Sequence, residues 1–353
     1  MSDTTSHEHY MDRCLQLAKL GQGRTATNPM VGSVLVHDGV IIGEGYHEQY
    51  GRAHAEVNCL ASVKPEHVQL LEQSTLYVSL EPCAHFGKTP PCADLIVEKR
   101  IPRVVIGCRD PFPMVNGKGI EKLQAAGVNV VLGVLEEECR ELNKRFFTFH
   151  NEHRPYIVLK WAQTSDGSIA NGNYGRLQIS NPMTNRLVHR WRSEEMGILV
   201  GTNTALFDDP ELTTRLWPGA NPVRLVVDMG LRLPASLKLF DGEHRTIVFN
   251  KLRHSEHYNL QYYQVTDDVS LVHQVINAMY QLKIQSVLVE GGAALLQSFI
   301  DEEMWDEARI ITNESLSVSN GLPAPRIREA KIRHAEDIAT DRIRYYTHTS
   351  PGK

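Results

Sequence analysis

Two α/β domains, residues 1–150 and 151–353, are what the sequence predicts. Segments of helical spacing alternate with short β-rich runs in both halves, the pattern of helices layered on a sheet. A chain of 353 residues is long enough for about two domains at roughly 150 residues each. The cysteines (Cys14, Cys59, Cys83, Cys92, Cys108 and Cys139) all precede residue 140, so the halves differ in chemistry.

The elements follow in order. Tyr10 to Lys19 sets Met11, Leu15 and Ala18 on one helical face, and Gly21 with Gly23 ends it. Val31–Val36 and Val40–Gly43 flank His37-Asp38-Gly39, where Asp-Gly signals a hairpin. A short helix over Ala55–Val63 precedes the strand Thr75–Leu80, and a second over Ala93–Lys99 precedes the strand Arg103–Gly107. Gly117–Ala126 reads as a helix and Val128–Leu132 as the last strand of this half. A charged helix, Glu136–Arg145, then leads into Phe146-Phe147-Thr148-Phe149-His150, and the boundary falls near residues 150–154.

The second half restarts with the strand Tyr156–Ala162. Asn181-Pro182 supplies an N-cap and a first-turn proline for a helix to Glu195. Strands are expected at Gly197–Gly201, Val223–Asp228, Thr246–Asn250 and Ser286–Glu290, with a helix over Val269–Lys283 between the last two. Residues 349–353 read as a frayed tail.

Composition narrows the function. Apolar residues at 42% and charged residues at 22% are ordinary globular values and exclude a disordered chain. A net charge of −5 without a run of lysine and arginine argues against nucleic acid as a partner. The N-terminal MSDTTSHEHYMDR lacks the apolar run of a signal peptide, and no stretch is long and apolar enough to span a membrane. The expectation is a cytoplasmic protein with reduced thiols and no membrane partner.

Metal-ligand chemistry concentrates in two segments. His54-Ala55-Glu56 opens a helix, and 29 residues after His54 comes Cys83, followed by Cys92 beyond an eight-residue loop. One imidazole and two thiolates suit Zn²⁺, and three protein ligands leave the fourth tetrahedral position open for water. Such a site lowers the pKa of its water from about 15.7 to about 7. Glu56 stands where a carboxylate can shuttle protons while staying off the metal. The helix N-terminus near Cys92 is expected to favour its thiolate. His85, inside the loop, is either a fourth ligand of a structural site or, with Lys88, a group facing substrate. Zinc nucleobase deaminases share His-x-Glu and Pro-Cys-x-x-Cys; here the cysteines stand further apart.

That longer loop, Leu80-Glu81-Pro82-Cys83-Ala84-His85-Phe86-Gly87-Lys88-Thr89-Pro90-Pro91-Cys92, closely resembles the deaminase domain of the bifunctional riboflavin-biosynthesis deaminase/reductases. Asn28-Pro29-Met30-Val31-Gly32 and Gly51-Arg52-Ala53-His54-Ala55-Glu56 carry the resemblance further. It implies a cytidine-deaminase-like three-layer domain with one zinc, in which Asn28 lines the pyrimidine pocket.

No Gly-x-Gly-x-x-Gly follows a strand after residue 155, so the usual dinucleotide signal is missing. Glu290-Gly291-Gly292 closes a strand and opens a helix, which suits a pyrophosphate but serves equally as a tight turn. Resemblance to the same family's reductase domain adds what spacing lacks. Lys160 to Ala170, Arg190-Trp191-Arg192-Ser193 and Gly201 to Arg215 match its motifs in order. A dihydrofolate-reductase-like α/β domain using NADPH is implied, with Ala162, Thr204, Asp208, Gly291 and Gly292 on the cofactor and Arg192, Leu212, Arg215 and Glu290 on the substrate. Guanidinium groups suit a ribose 5-phosphate, although each arginine read alone is as well a solvated surface charge. Where the family has Ser-x-Trp, this chain has Arg176-Leu177-Gln178, and Arg176 offers a further phosphate contact.

The resemblance implies deamination and then reduction of one phosphorylated pyrimidine, by a homodimer formed through the reductase domain. Two rivals are a nucleoside or tRNA deaminase with a non-catalytic C-terminal domain, and a chain with one dead half acting as scaffold.

Overall fold

Residues 2–86, 90–172 and 177–349 are described by the computed structural model of the chain; Lys88 and Arg176 lie outside them. The chain divides into two units, Met1–His153 and Arg154–Lys353.

In the N-terminal unit α1 (Ser2–Lys19) leads to the hairpin β1 (Gly32–His37) and β2 (Val40–Tyr46). Asp38 and Gly39 both have positive φ, 46° and 78°, as a two-residue turn between twisted strands requires. Then come α2 (Ala55–Ala61), a 3₁₀ turn over Pro65–Gln73, β3 (Thr75–Leu80), α3 (Cys92–Glu98), β4 (Arg103–Cys108), α4 (Lys118–Ala125), β5 (Asn129–Leu132), α5 (Glu136–Leu142) and α6 (Lys144–Asn151). The sheet order is β2-β1-β3-β4-β5, with β3, β4 and β5 parallel.

Period-2 alternation sends successive strand residues to opposite faces. Val34, Val36, Tyr77 and Val105 pack against Met11 and Leu15 of α1 and Cys139 of α5. Leu35, Leu76, Val78 and Ile106 pack against Cys59, Ile96 and Leu123 of α2, α3 and α4. Each large buried aliphatic contributes about 1.5–3 kcal/mol, so both faces are strongly covered and the unit has three layers. The expected charged helix over Glu136–Arg145 stops at Leu142. Asn143 turns aside there, its Oδ1 accepting from Met30 N at 2.8 Å and its Nδ2 donating to Met30 O at 2.9 Å.

The C-terminal unit runs β6 (Tyr156–Thr164), β7 (Ser168–Ala170), α7 (Pro182–Glu194), β8 (Gly197–Gly201), α8 (Thr202–Asp208), β9 (Val223–Val227), β10 (Thr246–Asn250), β11 (Ser255–His257), β12 (Leu260–Gln264), α9 (Leu271–Gln281), β13 (Ser286–Gly291), α10 (Ala293–Asp301), β14 (Glu307–Asn313), β15 (Leu322–Pro323), β16 (Ala330–Ile338) and β17 (Asp341–His348). Ten strands form one sheet in the order β11-β12-β10-β9-β8-β13-β6-β14-β17-β16, and β7 pairs with β15. Strands β9, β8, β13, β6 and β14 are parallel, which directs their carboxyl ends to one edge. The Asn181 cap forms as its residue type predicts, Oδ1 accepting from Met183 N and Thr184 N at 2.9 and 3.0 Å.

Gly45 allows α2 to lie directly on β2. A Cβ there would sit 2.2 Å from Cys59 N and 2.7 Å from Ala55 O, backbone atoms of α2. Gly45→Ala is expected to destabilise the N-terminal unit by about 1–3 kcal/mol through overpacking, read from the urea midpoint of its unfolding. An unchanged midpoint would show that α2 shifts at no cost.

Candidate functional site

Three elements converge at the carboxyl end of β3. His54 is the N-cap of α2, Cys83 follows β3 after Glu81-Pro82, and Cys92 is the first residue of α3. His54 Nδ1 lies 3.5 Å from Cys83 Sγ and 3.4 Å from Cys92 Sγ. Zinc bonds of about 2.3 Å to sulfur and 2.0–2.1 Å to nitrogen, at a tetrahedral angle, hold two ligand atoms roughly 3.5 Å apart. The donor set therefore fits zinc in both chemistry and spacing. Among the described residues this cluster contains His54, Cys83 and Cys92; His85 instead packs edge-on against Phe112, 5.9 Å between ring centres.

The thiols divide the charge differently from expectation. Cys92 N–H, at the start of α3, donates to Cys83 Sγ at 3.3 Å. The helix terminus thus serves Cys83, not Cys92. Hydrogen bonding from the Cys92 thiol, from His54 and from that amide holds Cys83 down at about 4, against the cost of burial. Cys92, hydrogen-bonded to that thiolate and buried, is pushed well up. His54, beside the Cys83 thiolate, is raised to about 9.

Glu56 is 3% exposed, and burial lifts its carboxyl to about 7 before any metal charge is counted. That value suits a group that must both take and give a proton near neutrality. Asn28 lies beside His47, Nδ2 to Nε2 at 3.2 Å, and His47 Nδ1 meets Ala53 O at 3.0 Å. A carbonyl only accepts, so Nδ1 carries the hydrogen and Nε2 accepts from the Asn28 amide. His47 was not foreseen, and neither was Asn143, which clamps the segment that carries Asn28. Glu81 is buried, with its carboxylate taking Asp110 N and Gly117 N on Oε2 at 3.2 and 3.0 Å, and Gly119 N and Ile120 N on Oε1 at 3.0 and 3.4 Å. It ties the start of α4 to the strand end that precedes Cys83.

In the C-terminal unit Ala162, Arg192, Thr204, Asp208, Leu212, Arg215, Glu290, Gly291 and Gly292 all border one cavity of about 900 Å³, as do Leu177 and Gln178. It opens at the carboxyl ends of β8, β9, β13 and β6, where open α/β sheets bind ligands, and its size lies within the roughly 300–1,000 Å³ of cofactor sites. The glycine turn is demanded by packing as well: a Cβ on Gly291 would meet Thr204 Cγ2 at 2.9 Å, and Gly292 has φ of 53°. The turn and α8 therefore share a wall, and α10 begins at its rim. A nicotinamide dinucleotide fits this arrangement of volume, glycine turn and helix start.

The arginines differ. Arg192 turns its fork to Glu290, Nε to Oε1 at 2.7 Å and Nη2 to Oε2 at 2.8 Å, and Nη1 donates to Thr213 O at 3.2 Å. It is neither a solvated charge nor an open fork. Lys160 Nζ joins at 3.6 Å from Glu290 Oε2, and burial lowers its pKa. Burial would raise Glu290, but Arg192 and Lys160 outweigh it and hold the carboxylate at about 2. Arg215 reaches Glu211 and Thr213 only at 3.5 and 3.4 Å and is half exposed, so its guanidinium is available to a ligand. Sequence spacing gives Lys160 no role; its pairing with Glu290 is a tertiary fact.

Comparisons with known proteins agree with this geometry. Residues 4–108 match the cytidine and deoxycytidylate deaminase zinc-binding region, and residues 155–313 match the RibD C-terminal domain. The riboflavin biosynthesis protein RibD of Aquifex aeolicus is 41% identical over 352 residues, spanning 96% of this chain and 98% of that protein. RibD of Escherichia coli K12 is 33% identical, over 93% of this chain and 96% of that protein. A crystal structure of the deaminase/reductase from Thermotoga maritima superposes with a TM-score of 0.88 at 35% identity, covering 98% of this chain and 99% of that one.

Zinc must displace the protons of His54 and Cys92, so its affinity is expected to fall as pH drops. In the metal-free site His54 keeps its proton below about 9, so each step down from there adds competition. Chelator competition between pH 8 and pH 6 measures this, and a pH-independent zinc affinity would contradict the assigned ligands.

Proposed function

The chain belongs to the RibD family of bifunctional riboflavin-biosynthesis deaminase/reductases, and from that premise we propose how its residues divide the two reactions. It is a zinc-dependent deaminase and an NADPH-dependent reductase. The single observation that carries the assignment of residues is the convergence of His54, Cys83 and Cys92 beside a buried Glu56, in a chain whose other unit gathers the reductase motifs around one cavity.

For deamination, zinc supplies a water activated at neutral pH. Glu56 takes the proton of that water as its oxygen adds to the pyrimidine carbon bearing the amino group. The same carboxyl then returns a proton to the departing nitrogen, which leaves as ammonia. Asn28, its amide oriented by His47, borders the pyrimidine. The substrate in this reading is 2,5-diamino-6-ribosylamino-4(3H)-pyrimidinone 5′-phosphate.

For reduction, bound NADPH would supply the hydride that C1′ of the open-chain imine needs, its nitrogen taking a proton, to give 5-amino-6-(5-phosphoribitylamino)uracil. Ala162, Thr204, Asp208 and the Gly291-Gly292 turn hold the cofactor. Arg215 takes the phosphate, and Leu212 with the Arg192–Glu290 pair orients the sugar and ring. Lys160 adds to that wall an ammonium able to give a proton. A homodimer built through the C-terminal unit, in the cytoplasm, is the assembly we propose on family resemblance. Relatives matched along both halves give no support to a scaffold or tRNA-deaminase reading.

Glu56→Gln is expected to keep zinc yet lose deamination by roughly 10²–10⁴-fold, seen by metal analysis beside ammonia release; normal turnover would sink the assigned role. Arg215→Ala is expected to raise KM for the phosphorylated reductase substrate about 10- to 100-fold, the loss of a charge-assisted hydrogen bond. NADPH affinity should hold. An unchanged KM removes Arg215 from the site.

A further inference from the structure

His189 lies on α7 three residues before Arg192, buried and outside the lining of the reductase cavity. Its ring touches the segment that carries Arg215: Leu216 N–H points to Nδ1 at 3.5 Å. An amide N–H needs an acceptor, so the contact forms only with a neutral imidazole carrying its hydrogen on Nε2. Burial first, then the charges of Arg192 and Arg215, hold His189 at about 4, so the ring is neutral at working pH.

The segment needs holding. Leu212 sits at φ of 53°, a left-handed conformation costly for a branched side chain. Beyond it Thr214 is fixed from the other side, its N and Oγ1 donating to Asn221 Oδ1 at 2.9 and 2.7 Å. Arg192 Nη1 shares the Thr213 carbonyl at 3.2 Å. Among the described residues Arg215 itself has only its long contacts to Glu211 and Thr213. Its direction is therefore set by the backbone on which it rides.

We propose that His189 is a positioning residue of the reductase, its ring holding the backbone at Leu216 as a clasp so that Arg215, the residue before it, faces the phosphate of the substrate. The inference rests on the reading of Arg215 as a phosphate contact. Removing the clasp lets the segment relax and misdirects the guanidinium, without touching the cofactor wall.

A double-mutant cycle on the full-length enzyme tests this, with the deaminated, phosphorylated pyrimidine as substrate. His189→Leu is expected to raise KM on the order of ten-fold, with NADPH affinity kept within about two-fold. His189→Gln, which offers a carbonyl to the Leu216 amide, is expected to recover most of the loss. Added to Arg215→Ala, His189→Leu should change KM no further, because its effect passes through that arginine. Should the leucine variant not fold, His189→Asn takes its place, its arm too short to reach that amide, with the same rise expected. A KM unmoved by loss of the ring, or effects that multiply in the double variant, overturns the proposal. If Arg215→Ala alone leaves KM unchanged, the phosphate reading fails first and takes the clasp with it.

Discussion

A parallel strand buried on both faces must give its chain up to a crossover at its carboxyl end, and each unit places its chemistry at that point. Strand β3 gives way to Glu81-Pro82-Cys83 and the chain returns as α3 at Cys92. Strand β13 ends in Glu290 and Gly291, and α10 starts two residues on. Strand β8 passes directly into α8 with Thr204. Helix termini, with their unpaired amides, meet strand ends there. The sheet's interior sets the stiffness, and the side chains just beyond it can be held in unusual ionisation states.

Two buried glutamates show how far those states diverge. Glu56 is buried and the Glu290 side chain nearly so, yet one is raised to about 7 and the other lowered to about 2. For Glu56, burial and the nearby Cys83 thiolate outweigh the pull of His54 and of hydrogen bonds from Cys92 and the backbone. Glu290 has a bidentate guanidinium and an ammonium within reach. Desolvation acts on both, and the neighbouring charge decides the sign. One carboxyl is thereby suited to carrying protons, while the other is a permanent anion that fixes two cations in a cavity wall.

Much of this was legible in the sequence where the pattern is local. The strand Thr75–Leu80 and the Asn181 cap stand where residue type and periodicity put them, because propensity, burial and capping agree there. The metal ligands were legible because soft donors on a fixed spacing are rare by chance. Strands β16 and β17 escaped, since β16 is exposed along nearly all its length and carries no alternation to read. Helix α8 escaped because, at seven residues, it is too short to show a helical period. His47, Asn143, Lys160 and His189 escaped for another reason: each acts through a partner remote in sequence, such as Met30 for Asn143, 113 residues away. The amide at the start of α3 was expected to serve Cys92; a terminal amide serves whichever sulfur it points at, and that is Cys83.

The placement of the thiols has a practical corollary. Every cysteine lies before residue 140, and Cys14, Cys59, Cys92, Cys108 and Cys139 are buried while Cys83 is only partly so. Cys83 is also the sulfur held as thiolate, the form that reacts with alkylating dyes. A thiol-reactive fluorophore added to the metal-free enzyme is therefore expected to label Cys83 ahead of the buried thiols. Labelling that falls as zinc is added would make the optical signal a count of vacant metal sites in a preparation.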